Sequence, residues 1–131
     1  MKTKSVNRCV YQVVFCVKYK KEVLIGDIRG ALESLLYELE EPLNMKVLQL
    51  KIEPYYVDLL IETVDSVAIS KLIFQLKKQT AGKLKVDFPT LTTQLPNIWT
   101  GETYIKTIGE IDMEQVGLFL ESQKKRTVSR K

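Results

Sequence analysis

A chain of 131 residues, 45% hydrophobic and 27% charged, has the length and composition of one globular domain, which argues against disorder, collagen and solenoid arrays. No run approaches the ~18 apolar residues of a membrane span, and Met1-Lys2-Thr3-Lys4 leads into no signal-peptide core, so a cytoplasmic protein without a membrane partner is expected. The net charge of +4 is uneven: residues 1–21 hold six basic residues and no acid, residues 124–131 hold five and no acid, and the body between them nets −7.

Basic ends around an acidic body suit a polyanion contacted at chosen places, although solvated tails give the same pattern. The chain has no histidine, which removes the commonest general base and the commonest transition-metal ligand together.

In chain order, Cys9 through Val17 reads as an apolar first strand. Its two cysteines, Cys9 and Cys16, lie about 23 Å apart at ~3.3 Å per residue and point to opposite faces, so they cannot pair, and two cysteines make no zinc site. Lys18-Tyr19-Lys20-Lys21 is a polar break. Asp27 stands as a helix N-cap before Ile28, Ala31, Leu32, Leu35, Leu36 and Leu39, spaced as one helical face and stopped by Pro42.

Leu48, Leu50 and Ile52 alternate with polar residues as a half-buried strand, and Pro54-Tyr55 turns it into Tyr56 through Thr63, a hairpin. Asp65 or Ser66 caps a second helix with Ile69, Leu72, Ile73 and Leu76 on one face, and Gly82 lies near its end. Phe88 to Pro96 reads as a loop and Thr103 to Ile108 as a fourth strand. Asp112 with Gln115 opens a last helix carrying Phe119 and Gln123.

The order β-α-β-β-α-β-α predicts an α+β, ferredoxin-like (RRM-like) antiparallel sheet with an additional C-terminal helix. Residues 1–123 form the expected domain and residues 124–131 a basic, disordered tail.

Several segments in this order resemble the small single-tyrosine transposases of the HUH class, the TnpA-like proteins of compact bacterial insertion sequences. Val10 through Leu24 resembles the family's first strand and its Lys-Tyr-Arg-Arg-type turn. Ile52 through Leu60 sits where the family has a Pro-Asp-His-hydrophobic-His strand. Leu76-Lys77-Lys78 resembles the basic stretch of the second helix, Ile98-Trp99-Thr100 and Tyr104 through Gly109 its Trp-Ser and Ser-Thr-Val-Gly-type segments, and Phe119 through Gln123 its Tyr-Ile-Glu-Asn-Gln.

The resemblance implies a site in which two histidines and a glutamine hold a divalent cation while a tyrosine attacks a DNA phosphodiester. Here Tyr56 and Asp58 occupy the histidine positions, Phe119 the nucleophile position, and Gln123 alone is kept. Phenylalanine has no oxygen to attack phosphorus. No catalytic residue and no cofactor are therefore expected, with Asp58 and Gln123 as weak candidates for Mg²⁺.

The implied partner is hairpin or single-stranded DNA, bound by a homodimer through Lys18, Tyr19, Lys20, Lys21, Lys77, Lys78, Lys124, Lys125 and Arg126. Tyr19 and Trp99 are aromatics that stack on an unpaired base or, for Trp99, fill the core. Three readings stay open: a DNA-binding regulator or accessory factor with a degenerate site, a transposase or nuclease using Tyr55, Tyr56 or Asp58, and a module that binds another protein.

Overall fold

The computed structural model describes residues 8–64 and 68–110. Strand β1 spans Arg8–Cys16, helix α1 Gly26–Glu38, β2 Met45–Glu53, β3 Tyr56–Val64, helix α2 Ile69–Asp87, a short helix α3 Pro89–Gln94, and β4 Tyr104–Glu110. The four strands form one antiparallel sheet in the order β2-β3-β1-β4, the ferredoxin-like arrangement that the element order predicts. The expected last helix, with Phe119 and Gln123, and the basic tail lie outside the described residues, as do Asp65 and Ser66.

Period two divides the sheet into two faces. Val13, Phe15 and Val17 of the first strand region join Val57, Leu59 and Ile61 of β3 in one core with Leu32 and Leu36 of α1 and Leu72, Ile73, Leu76 and Leu84 of α2. The helices thus cover that face. Val10 and Leu60 form a second, small cluster with Leu48 and Ile108 on the opposite face.

β1 lies inside the sheet, flanked by β3 and β4. Val13, Phe15 and the adjoining Val17 are fully committed to the core of one chain. Among the described strands, the edges of the sheet are β2 and β4.

Three local expectations are corrected. Asp27 is not the N-cap of α1: Gly26 begins the helix at φ +56, a conformation cheap only for glycine, and Asp27 sits in the first turn, where its charge suits the helix dipole. Gly82 lies near the end of α2, as expected, and the helix continues past it to Asp87, with Leu84 buried and Lys83 reaching Asp87 one turn on, at 3.5 Å. The segment Phe88 to Pro96 is not all loop, since Pro89 suits a first helical turn and Leu91 is buried beneath α3.

The third correction concerns β2. Leu48, Leu50 and Ile52 do not share a face, because an irregularity in pairing between Val47 and Gln49 shifts the register against β3. Met45 and Val47 before it and Leu50 and Ile52 after it all reach the main core, while Leu48 is turned to the second cluster.

Candidate nucleic-acid interface

Three connections converge at the end of the sheet where β1 finishes and β3 begins. Val17 N–H donates to Tyr55 O at 2.8 Å, Leu24 N–H to Pro54 O at 2.9 Å, Lys18 N–H to Ile98 O at 2.7 Å, and Thr100 N–H to Cys16 O at 2.9 Å. These bonds fasten the β1–α1 connection, the two-residue β2–β3 turn and the segment before β4 into one platform. Trp99 forms an isolated bridge with Val17 within it.

The basic turn projects from this platform. Lys18–Lys20 makes one short 3-10 turn, with Tyr19 at φ 61 and Lys20 at φ 53. Two successive non-glycine residues in the left-handed region are uncommon and cost roughly 1–2 kcal/mol each. Backbone bonds from Lys20 N–H to Val17 O (2.9 Å) and from Lys21 N–H to Lys18 O (3.3 Å) hold the turn. Tyr19 is 77% exposed, and Lys20 and Lys21 are exposed beside it.

Lys77 and Lys78 are neighbours on α2 with different surroundings. Lys78 is exposed. Lys77 is half-buried, and its Nζ donates to Thr100 O and Thr103 Oγ1, both at 2.8 Å. Burial lowers its pKa from the ordinary lysine value, partly offset by Cys16 nearby. Lys77 therefore secures the segment before β4 to α2.

Trp99 belongs to the core. It is 7% exposed, lies edge-on to Phe15 with ring centroids 4.7 Å apart, and donates its indole N–H to Thr80 Oγ1 at 3.0 Å. Thr80 in turn donates back to Leu76 O at 2.8 Å.

Tyr56 and Asp58 stand on the face away from α1 and α2, because Val57 and Leu59 alternate with them into the core. Cys16 is the cross-strand neighbour of Tyr56, and Val14 and Lys51 are the neighbours of Asp58 on either side. Gln12, one pleat along β1, donates its amide to Asp58 Oδ1 at 3.1 Å and approaches Oδ2 at 3.4 Å. Gln12 carries no local signal of this role, because its meeting with Asp58 depends on the β1–β3 register across 46 residues.

The structure thus brings Lys18, Tyr19, Lys20, Lys21 and Lys77 to the end of the sheet that carries Tyr56. Lys124, Lys125, Arg126, Phe119 and Gln123 lie outside the described residues. Cys9 and Cys16 are free. Among the described residues no three His, Cys, Asp or Glu side chains come together to hold a metal ion, and no helix is long and apolar enough to cross a membrane. At positions 56 and 58 the sheet offers a phenol and a carboxylate engaged by the Gln12 amide.

Fold and face define an α+β protein whose sheet carries its distinctive polar residues on one side. The family described as "Transposase IS200 like" matches residues 5–123, and the chain belongs to it. It is similar to the ISDra2 transposase TnpA of Deinococcus radiodurans, at 29% identity over 115 residues covering 86% of this chain and 82% of that protein. The transposase for insertion sequence element IS200 of Salmonella typhimurium is 27% identical over 104 residues, covering 78% and 68%.

Among solved structures, a transposase from Deinococcus radiodurans superposes with a TM-score of 0.76 at 23% identity, covering 94% of this chain and 98% of that one. A REP-associated tyrosine transposase bound to a REP hairpin superposes with a TM-score of 0.61 at 11% identity, covering 91% and 66%. Both show the shared fold.

Proposed function

We propose that this chain is a DNA-binding member of the IS200-like transposase family that no longer cleaves strands, and that it serves as a regulator or accessory factor in the cytoplasm. The observation that carries this reading is the pairing of a fastened basic turn with a converted site. Lys18 through Lys21 stand on a hydrogen-bonded platform, while Tyr56 and Asp58 replace the two histidines and Asp58 is already engaged by Gln12. Phe119 at the nucleophile position points the same way. The REP hairpin held by one structural relative supports a hairpin or another structured single strand as the partner.

Binding of this kind places lysines on phosphates, which fixes position, and leaves Tyr19 to stack on an unpaired base. A homodimer is part of the proposal, joined through an edge strand because β1 is interior.

Electrophoretic mobility shift with hairpin and scrambled DNA, repeated over a salt series, is the test. Each phosphate neutralised should add ~0.7 to 0.9 to the slope of log K against log salt. Lys20→Ala with Lys21→Ala should weaken binding to all sequences and flatten that slope. Equal, weak binding of hairpin and scrambled DNA at ~150 mM salt, unchanged by the double substitution, overturns the reading.

A further inference from the structure

Residues 96–103 run between α2 and the basic turn, and both sides hold them. Toward β1, Ile98 O accepts Lys18 N–H at 2.7 Å, Thr100 N–H donates to Cys16 O at 2.9 Å, and Trp99 bridges Val17. Toward α2, Lys85 Nζ donates to Pro96 O, while Lys77 Nζ donates to Thr100 O and Thr103 Oγ1, both at 2.8 Å. Lys77 and Lys85 lie a little over two helical turns apart, about 12 Å along the axis of α2. They therefore grip the segment near its two ends.

Lys77 has no N–H left for a phosphate. An ammonium group carries three, and Thr100 O, Thr103 Oγ1 and, at 3.5 Å, Glu102 O stand before them. Neither lysine joins an ion pair among the described residues, and both donate to backbone carbonyls instead.

The basic turn leans on the gripped segment. Tyr19 and Lys20 sit at φ 61 and φ 53, and the bonds that close the turn run from Lys20 N–H to Val17 O and from Lys21 N–H to Lys18 O. Strained backbone of this kind persists where its surroundings over-determine it. Lys18, the first residue of the turn, finds its outside acceptor in Ile98, within the segment the two lysines hold.

We propose that Lys77 and Lys85 are positioning residues for the basic turn: they clamp residues 96–103 onto α2, and the clamped segment keeps Lys18 through Lys21 in the left-handed conformation that meets DNA. That role rests on the DNA-binding reading, and it differs from the phosphate contact that the family resemblance implies for Lys77. Loosening either clamp lowers the fraction of chains whose turn is ready. Apparent affinity then falls with that fraction, while the number of phosphates contacted stays the same.

Lys77→Met and Lys85→Met are compared with the parent by hairpin mobility shift over a salt series and, without DNA, by amide hydrogen exchange. Each variant should bind the hairpin about fivefold or more weakly while keeping the parent's slope of log K against log salt, whereas Lys20→Ala with Lys21→Ala flattens that slope. The Lys18, Lys20 and Thr100 amides should exchange about fivefold or more faster, with the Leu59 and Ile61 amides of β3 at the parent's rate. Thr103→Val removes one acceptor and no charge, and should reproduce part of both effects. Methionine keeps the aliphatic stem of lysine, and Lys85→Met carries the test by itself if Lys77→Met melts too low.

Equal acceleration of the β3 amides would assign both lysines to general stability and overturn the proposal. A slope shallower by ~0.7 to 0.9 in Lys77→Met with exchange unchanged would do the same, since it marks a direct phosphate contact. A parent chain that binds no hairpin overturns the DNA-binding reading and this role with it. A parent that binds, with the turn amides unaltered in both variants, overturns the clamp alone.

Discussion

Gln12 on β1 and Asp58 on β3 are joined through the Gln12 amide, 3.1 Å from one carboxylate oxygen and 3.4 Å from the other. The pair gives Asp58 a structural partner on the sheet face away from α1 and α2. A double-mutant cycle of Gln12→Ala and Asp58→Ala should return a coupling of about 1.5 kcal/mol, the low end for a hydrogen bond to a charged group because the pair is only part-buried. Additive effects in urea unfolding would show that the amide and carboxylate do not stabilise the folded chain together.

No covalent protein–DNA product is expected from nicked or single-stranded hairpin substrates in Mg²⁺ or Mn²⁺. Phe119→Tyr alone should leave that result unchanged, since Tyr56 and Asp58 offer a phenol and an engaged carboxylate and no imidazole. A covalent band on a denaturing gel, from either protein, would contradict the proposed loss of cleavage.

Thr80→Val is nearly isosteric but removes the acceptor for the Trp99 indole N–H at a buried position. Leaving that donor unpaired should cost about 1–3 kcal/mol. Thr80→Ser, which keeps the oxygen, should cost less than Thr80→Val. Calorimetric melting of the two variants checks the order, and equal losses would assign the cost to packing instead.

Lys77 supplies a pH signature. Its folded pKa lies below the ordinary 10.5 chiefly because burial penalises the charged amine. The unfolded chain then binds more protons between the folded value and 10.5, so this group makes stability rise with pH across that window and fall as pH drops through the folded value. Tyr11 acts in the opposite sense above 10.0, its pKa raised by burial first and by Cys9 second. Subtracting the stability of Lys77→Met from that of the parent at each pH removes the Tyr11 contribution. The difference should climb toward pH 10.5, and a flat difference would show that Lys77 is equally solvated in both states.

The strands and both long helices were legible because their apolar periods are long and consistent, as in Ile28 through Leu39 and Tyr56 through Thr63. What escaped depended on distant partners. Leu48 follows the alternation of its neighbours, and only pairing with β3 reveals the shifted register. Lys77 and Lys78 are chemically alike in sequence, yet the return of residues 100–103 past α2 half-buries one and leaves the other exposed. Gly82 pointed to the neighbourhood of the helix end, but the last turn to Asp87 is set by burial of Leu84.

At the candidate site, the residue types at 56, 58 and 119 were readable directly, whereas the partnership of Gln12 with Asp58 was not. Trp99 offered two readings, and its indole bond to Thr80 together with its edge-on packing against Phe15 places it in the core. Lys85 carried no sequence signal beyond its type, because the Pro96 carbonyl it holds reaches it only through the fold.

The left-handed pair Tyr19 and Lys20 sets stability and recognition against each other at a single turn. Glycine at either position would relieve backbone strain of roughly 1–2 kcal/mol and should raise the melting temperature, although part of that gain is returned as entropy of the more flexible unfolded chain. The same exchange at position 19 deletes an exposed ring, and at position 20 a positive charge. A library randomised over this turn should therefore diverge under two screens: heat challenge enriching glycine and asparagine, and retention on hairpin DNA enriching aromatic and basic residues.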